Sequence, residues 1–298
     1  MNFNQLHAFY HVAKAGGFGS AAAALHLTQP ALSWQVKNLE VCLDVRLLDR
    51  VGRRVALTEE GRSLYAYAER IFTLARDAEE ALADFRGLAR GRMKIDATFT
   101  FGDYYLPALL LAFHRQHPQI VLEVRTGNTS QVLANTLRRE NDLAFLARDP
   151  AHPDIAAREV VRDVLVAVVP PSHRLAHHKS IPLHELQDEG LIVRERGSSP
   201  RDILDELLAR RAVSPRIVME SASTRAIKRM VEGGMGVAVL SQQVLREELQ
   251  TGSLVKVRLR DASIAYRFYL IHRRDKYLSA ALRAFIATSV GRPRGAKG

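Results

Sequence analysis

From about residue 92 onward, short apolar runs alternate with helix-forming stretches, and this rhythm constrains the fold more than any other feature. The strand-like runs are MKIDAT (93–98), IVLEVRT (120–126), DLAFLA (142–147), VLVAVVP (164–170), LIVR (191–194), RIVME (216–220), GVAVL (236–240) and YRFYLIH (266–272). Helical stretches fall between them, around 103–117, 130–139, 201–212, 223–232, 241–249 and 278–289. Such alternation predicts a parallel sheet with crossover helices, an α/β fold. A span of this size fits one large sheet or two small lobes, and periodicity alone admits both. The sequence shows no solenoid-like repeat.

Ahead of this block, residues 1–58 read as short helices. FNQLHAFYHVAK places Phe3, Leu6, Phe9 or Tyr10, and Ala13 on one face, and Gly16 and Gly17 stop it. SAAAALH follows as a short alanine-rich helix entered from Gly19, and Leu27-Thr28 makes a tight turn. Thr28 is suited to cap the next helix, with Pro30 in its first turn, where a missing N–H costs nothing. That helix, running to about Cys42, buries Leu32, Val36 and Leu39 at i, i+4, i+7. Trp34, the only tryptophan, lies almost opposite that stripe. VRLLDRVGRRVALT reads as a small hairpin, or wing, around Gly52.

A long helix over roughly 59–88 follows, capped by Thr58 with Glu59 and Glu60 in its first turn. Leu64, Ala68, Ile71, Ala75, Ala78, Leu82 and Phe85 recur at alternating spacings of four and three, a heptad seam. The seam fits a helix lying on its own domain or one pairing with a second copy. A narrow stripe on a connecting helix favours the pair. GLARG (87–91) marks a hinge. The organisation expected is a helical head with a wing at 1–58, a long linker helix suited to pairing at 59–90, an α/β domain at 91–290 and a basic tail at 291–298.

The chain of 298 residues carries a net charge of +11, which permits a polyanionic partner. Residues 1–58 hold six Lys/Arg against three Asp/Glu, and residues 256–298 hold eleven against two. The excess therefore sits at the C-terminal end, and GRPRGAKG reads as a solvated tail that could add nonspecific attraction to nucleic acid. No apolar run approaches the ~20 residues of a membrane helix. MNFNQLHAFYHVAK lacks the charged start and long apolar core of a secretory signal. Cys42 is the only cysteine, so no internal disulfide exists, and a cytoplasmic address is expected with no membrane partner.

A short helix, a tight turn and a second helix with an outward polar face suit the major groove of DNA. Away from the core stripe lie Gln29, Pro30, Ser33, Trp34, Lys37 and Asn38, behind the capping Thr28. Glutamine can bond adenine bidentately, serine can bond several bases, and lysine suits phosphate or guanine. Trp34 offers one N–H and a large apolar edge for a thymine methyl or a sugar, or it packs on a neighbouring subunit. Arg50, Arg53 and Arg54 crowd the wing, where phosphate or minor-groove contact is natural.

Residues 1–61 resemble the winged helix-turn-helix of LysR-type transcriptional regulators. The matching elements are L6-x-x-F9, G17-F18, A21-A22, L25-H26, T28-Q29-P30-A31-L32-S33, L39-E40, L47-L48-D49-R50 and L57-T58-E59-x-G61. The resemblance covers essentially the whole chain. It implies a fold in which the winged helix-turn-helix and long linker helix lead into a two-lobed effector domain like a periplasmic solute-binding protein. Lobe 1 would take about 91–164 and 266–290, and lobe 2 about 165–265. The chain would cross between them near Val164–Pro170 and Asp261–Tyr266. It also implies double-stranded operator DNA as partner, a homodimer assembling into a homotetramer, and contact with RNA polymerase. Two departures stand out. Gly19 replaces a common Ser or Thr, removing a side-chain cap from the second helix. Trp34 replaces a usual polar or basic residue.

Hydroxyls and amides gather at strand ends, where open α/β sheets bind ligands. They are Thr98 and Thr100 in ATFTFGDYYLP, Asn128, Thr129 and Ser130 in GNTS, Arg196, Ser198, Ser199 and Arg201 in RERGSSPR, and Ser223 and Thr224 in ESASTRAIK. Helix N-termini there suit a carboxylate, sulfate or phosphate, although plain helix capping explains any one of them. Among these, Thr98, Thr100, Asn128, Thr129, Ser198, Ser199, Arg201 and Thr224 are the expected effector contacts. By resemblance, Thr98, Thr100 and the Ser198–Ser199 loop occupy effector-contacting places. GNTS, GSSPR and STRAIK look most like regulators of carbon fixation and sulfur assimilation, whose effectors are small anionic metabolites.

Other chemistry finds little support. His7 and His11 in HAFYH lack a third ligand, and His173, His177 and His178 read as an exposed loop, so no metal is expected. Cys42 reads as a buried or half-buried thiol. GGMG (233–236) follows a helix and so reads as a C-cap turn. No cofactor and no catalytic motif is expected. The leading reading is a DNA-binding regulator whose promoter binding an effector modulates by shifting the population of lobe or subunit arrangements. The rival is a small-molecule-binding protein whose helical head mediates assembly.

Overall fold

The computed structural model describes residues 1–51, 54–84, 91–260 and 265–290. The chain divides into two compact units, Met1–Phe85 and Arg86–Gly298. Residues 87–90 of the expected hinge at 87–91, the tail at 291–298, Arg53 and Phe85 lie outside the described residues, and Gly91 opens the first strand of the second unit.

The first unit runs α1 (Phe3–Ala15), α2 (Phe18–Leu25), α3 (Gln29–Leu43), β1 (Leu48–Val51), β2 (Arg54–Leu57) and α4 (Glu59–Asp84). Asn2 and Gln5 form a capping box on α1, and Gly16 ends it in the left-handed region at φ 67°. α2 starts one residue before Gly19, with Gly17 at its N-cap. Gly19 therefore sits inside the first turn, and a Ser or Thr there would not occupy the cap. Leu6, Phe9 and Val12 of α1, Ala21 and Ala22 of α2, and Leu32, Val36 and Leu39 of α3 close one apolar core.

The wing is held by hydrogen bonds to its backbone. Glu40 at the end of α3 accepts from the N–H groups of Leu47 (2.8 Å) and Leu48 (3.2 Å). Val55 N–H donates to Gly16 O at 3.1 Å, tying β2 to the turn after α1. Thr58 Oγ1 donates to Arg46 O (2.7 Å) and accepts from Gly61 N (2.9 Å), capping α4. A Cβ on Gly61 would stand 2.0 Å from Leu47 O, so the wing and α4 can meet only over a glycine.

The second unit runs β3 (Gly91–Thr98), α5 (Phe99–Tyr104), α6 (Leu106–Gln116), β4 (Ile120–Gly127), α7 (Thr129–Leu137), β5 (Leu143–Leu146) and β6 (Ile155–Val169). It continues through β7 (Ser180–Ile181), β8 (Gly190–Arg194), α8 (Ser199–Arg210), β9 (Arg216–Ser221), α9 (Thr224–Glu232) and β10 (Val237–Ser241). The last elements are α10 (Arg246–Thr251), β11 (Val255–Leu259), β12 (Ala265–Arg273) and α11 (Ala280–Val290). The helix expected over 103–117 is two helices meeting at Tyr105, with Pro107 in the first turn of α6.

Strands lie in the order β4-β3-β5-β12-β6-β10-β8-β9, with β11 beside β6 and β7. β6 serves two halves. Ile155–Val164 pairs with β12, whereas Leu165–Val169 pairs with β10 and β11. The sheet is therefore two-lobed around one shared strand. It is also mixed. β3, β4 and β5 are parallel, as are β8, β9 and β10, but β12 runs antiparallel to β5 and β6, and β10 and β11 antiparallel to β6. The expected parallel sheet gives way in the middle, where β6, shared by the lobes, and β12 beside it run antiparallel to their neighbours. Phe101 stacks on Phe145 with centroids 4.2 Å apart, and Phe113 meets Phe285 at 5.1 Å. These rings belong to an apolar core that extends from Met93 to Phe285 through both lobes.

Candidate functional site

α3 presents the expected face. Thr28, Gln29, Pro30 and Lys37 are exposed, Ser33 and Asn38 are half-buried, and Trp34 is 62% exposed. Thr28 Oγ1 caps the helix by accepting from Ala31 N at 3.4 Å. Trp34 is thus not needed by the core of its own unit, whose α3 contribution is Leu32, Val36 and Leu39. Arg50 and Arg54 lie on β1 and β2, and their side chains are outside the described residues. Cys42 is exposed, contrary to the buried or half-buried thiol expected, because it lies in the last turn of α3, beyond the buried stripe that ends at Leu39.

The two histidines of α1 belong to an aromatic cluster. His7 and His11 lie 4.4 Å apart between ring centroids, and Phe72 of α4 stands 5.1 Å from His7 and 4.9 Å from Phe3. Burial lowers the pKa of both histidines, and the charges of His7 and Lys14 lower His11 further. No group of three metal-ligating side chains occurs among the described residues. In the second unit, His173 caps a short turn through Nδ1 and approaches Glu189 at 3.3 Å, which is a structural role.

The heptad seam of α4 divides. Ala68 is fully buried on the core of its own unit, with Leu64 packed beside it, and Tyr65 stacks on Tyr10 at 5.2 Å. Further along, Ile71 and Leu82 are 40% and 66% exposed, Ala75 is half-buried and Ala78 exposed. Tyr67 and Leu74, which the seam omitted, are 60% and 70% exposed. The outward apolar row is therefore Tyr67, Ile71, Leu74 and Leu82.

In the second unit the four strand-end loops converge from two lobes. Thr98 ends β3 and Thr100 follows it, and Asn128 and Thr129 follow β4. Ser198, Ser199 and Arg201 follow β8, and Thr224 follows β9. Thr129 Oγ1 and Ser199 Oγ share a hydrogen bond of 2.8 Å across the lobes, and Ser199 N–H also donates to Thr129 at 3.3 Å. Arg194, at the carboxyl end of β8 and 5% exposed, makes the second bridge. Its Nη1 donates to Thr224 Oγ1 at 3.1 Å and reaches Thr100 Oγ1 of the other lobe at 3.4 Å. Its other edge is held by Glu195, Nε to Oε2 at 2.9 Å and Nη2 to Oε1 at 3.1 Å.

The expected residues differ in how they are used. Asn128 forms a capping box with Gln131 and so serves its own helix. Arg201 is 4% exposed and holds Asp205 (2.7 Å), Glu220 (3.0 Å) and Arg194 O (3.0 Å). Ser198 Oγ donates to Glu195 O at 2.7 Å in place of capping α8. Thr98 Oγ1 is buried and has no hydrogen-bond partner among the described residues. Sequence reasoning missed Arg194 and Glu195. The signal was available, because a charged residue ending a buried strand such as LIVR is rarely buried without a partner.

A second polar knot marks the place where β6 changes lobes. Asp163 accepts from Tyr105 OH at 2.6 Å, from Gln243 N at 3.4 Å and from Ser241 Oγ. Burial, with the Asp163 charge next, raises the Tyr105 pKa above the ordinary phenol range. Tyr266, fully buried beside Thr100, is raised for the same first reason. Asp103 is also raised by burial, against the attraction of Arg194.

A winged helix-turn-helix head and a two-lobed α/β unit with a polar seam between its lobes define a DNA-binding protein that carries its own ligand-binding domain. The bacterial regulatory helix-turn-helix protein, lysR family, model matches residues 3–62, and the LysR substrate binding domain model matches residues 86–292. The chain belongs to the LysR family of transcriptional regulators. The RuBisCO operon transcriptional regulator of Allochromatium vinosum is 32% identical over 285 residues, 96% of this chain and 94% of the relative. The regulatory domain of Synechocystis PCC6803 CcmR in complex with 2-PG aligns at TM-score 0.64 and 30% identity, over 68% of this chain and 97% of that one. Full-length CbnR complexed with its target DNA aligns at TM-score 0.65 and 25% identity, over 97% and 99%. No helix among the described residues is long and apolar enough to cross a membrane.

Proposed function

We propose that this cytoplasmic regulator reads promoter DNA with the exposed face of α3, and that a small anionic metabolite held between the lobes sets its promoter binding. The observation that carries the effector reading is Arg194, a buried guanidinium that touches Thr100 on one lobe and Thr224 on the other. A cation shared by two lobes favours an anion that both lobes grip, and closing on it shifts the population of lobe arrangements. Thr98 adds a buried hydroxyl with hydrogen-bonding capacity unspent, and Thr129, Ser198 and Ser199 line the same seam. Asn128 and Arg201 support these loops through their own partners. The complex of CcmR with 2-PG supports a small-molecule effector in this domain.

On the head, Gln29, Ser33 and Trp34 face base edges in this reading, with Thr28, Pro30, Lys37 and the wing arginines Arg50, Arg53 and Arg54 at the backbone. Two copies pair through the outward row of α4, and the dimers associate as a homotetramer that contacts RNA polymerase. The test is a gel-shift titration against genomic fragments, including the promoter divergent from its own gene. Saturable binding to particular fragments that weakens steeply with salt is the expected result. Binding indifferent to sequence and flat with salt overturns it. A metabolite titration into the same complex, with anions of different size, tests the effector.

A further inference from the structure

The Arg194 guanidinium is the cation that both lobes share, and its free edge is already matched by the residue that follows it in sequence. We propose that Glu195 is a tethered competitor for the effector: its carboxylate occupies the guanidinium edge that an incoming carboxylate or phosphate takes, and effector binding displaces it. This rests on the anionic-effector reading above.

Three observations carry it. First, the pair is bidentate, at 2.9 and 3.1 Å, the same two-point geometry by which arginine binds a ligand carboxylate or phosphate. Second, the two partners differ in exposure. The Arg194 side chain is 4% exposed and fixed by Thr100 and Thr224, whereas Glu195 is 17% exposed. Among the described residues both hydrogen bonds of the Glu195 carboxylate go to Arg194. Third, Glu195 opens a tight turn. Ser198 Oγ and Ser198 N both donate to its carbonyl, and Gly197 stands at φ +79° with Ser130 of the other lobe facing it. The backbone is thus anchored while the side chain can rotate.

Arg201 lacks this arrangement. Its carboxylates, Asp205 and Glu220, are 51% and 44% exposed, and no hydrogen bond from its guanidinium reaches the other lobe among the described residues. A carboxylate one residue away competes at an effective concentration on the order of millimolar. Only a metabolite abundant enough, or with enough further contacts, displaces it, so Glu195 sets the response threshold and rejects weak monoanions.

The test is calorimetric titration of the full chain with inorganic phosphate and, separately, acetate. Glu195→Gln keeps the shape and removes the charge, and it should bind phosphate at least about fivefold more tightly than the parent chain. Arg194→Met should bind none. Glu195→Asp, too short to span both guanidinium nitrogens, should fall between parent and Gln, and it carries the test if the Gln variant fails to fold. Equal or weaker phosphate binding by Glu195→Gln overturns the proposal and leaves the cleft reading standing if Arg194→Met still loses the anion. Phosphate affinity untouched by Arg194→Met overturns the cleft reading itself. Binding by no variant overturns the proposal as well.

Discussion

Thr129 and Ser199, seventy residues apart in sequence, share a hydrogen bond of 2.8 Å that joins one lobe of the effector domain to the other. Ser199 is 1% exposed and its backbone N–H also donates to Thr129, so two polar groups depend on one threonine hydroxyl. Thr129→Val should loosen the lobe contact by ~1–3 kcal/mol, the cost of stranding buried polar groups. Faster amide exchange in both the 127–131 and 195–200 segments is the expected readout, with Thr129→Ser close to the parent chain. Unchanged exchange in the Val variant would mean the bridge carries no weight.

Trp34 is 62% exposed and outside the core of its unit. Trp34→Ala should lower affinity for a specific promoter fragment by about tenfold, ~1.4 kcal/mol. Thermal stability should move by no more than ~0.5 kcal/mol, as for other exposed positions. Loss of the folded head would instead assign Trp34 to packing.

Gly61 has no room for a side chain, since a Cβ would lie 2.0 Å from Leu47 O. The obstacle is backbone and cannot swing away. Gly61→Ala should destabilise the head by about 3 kcal/mol, seen in thermal or urea unfolding followed at Trp34.

His7 and His11 titrate below the ordinary value of 6.5, chiefly through burial. A proton therefore binds the unfolded chain more readily than the folded head. The contribution is fully present above about pH 6.5 and is lost as pH falls through the lowered folded values. Tyr10, Lys14 and Phe72 are neighbours that face the pair. Unfolding followed at Trp34 between pH 7 and 5 should show the head weakening, and a His7→Gln, His11→Gln chain should flatten that dependence.

Leu74 is 70% exposed on α4, whose Leu64, Ala68 and Phe72 pack on the core of its own head. Leu74→Glu should shift sedimentation toward the monomer while leaving the thermal midpoint of the head within ~0.5 kcal/mol. An unchanged assembly state would move the pairing surface elsewhere.

Much of the fold was legible because it rests on local pattern. The stripe Leu32, Val36 and Leu39 placed α3 and turned Trp34 outward, since a 3.6-residue period leaves no other face for it. Buried runs such as LAFL and VAVLS announced their strands. What escaped was weakly patterned. The first half of β6, IAAREVVRDV, mixes charges into a half-exposed strand, and VKVRL of β11 alternates over only a few residues. The mixed sheet was invisible for a different reason, because strand direction is set by which neighbours pair and not by local composition.

The sequence by itself determined the helical head, the wing, the long helix and the β-α rhythm, along with the family motifs from Leu6 to Gly61. Those depend on spacing within one segment. Only the tertiary structure decided that Leu64 and Ala68 turn toward their own head, and that Thr129 meets Ser199. It alone decided that Arg194 stands between Thr100, Thr224 and Glu195. Those partners lie far apart along the chain, apart from Glu195. A guanidinium's role is fixed by what the fold brings to each of its edges, and no periodicity in the sequence encodes that.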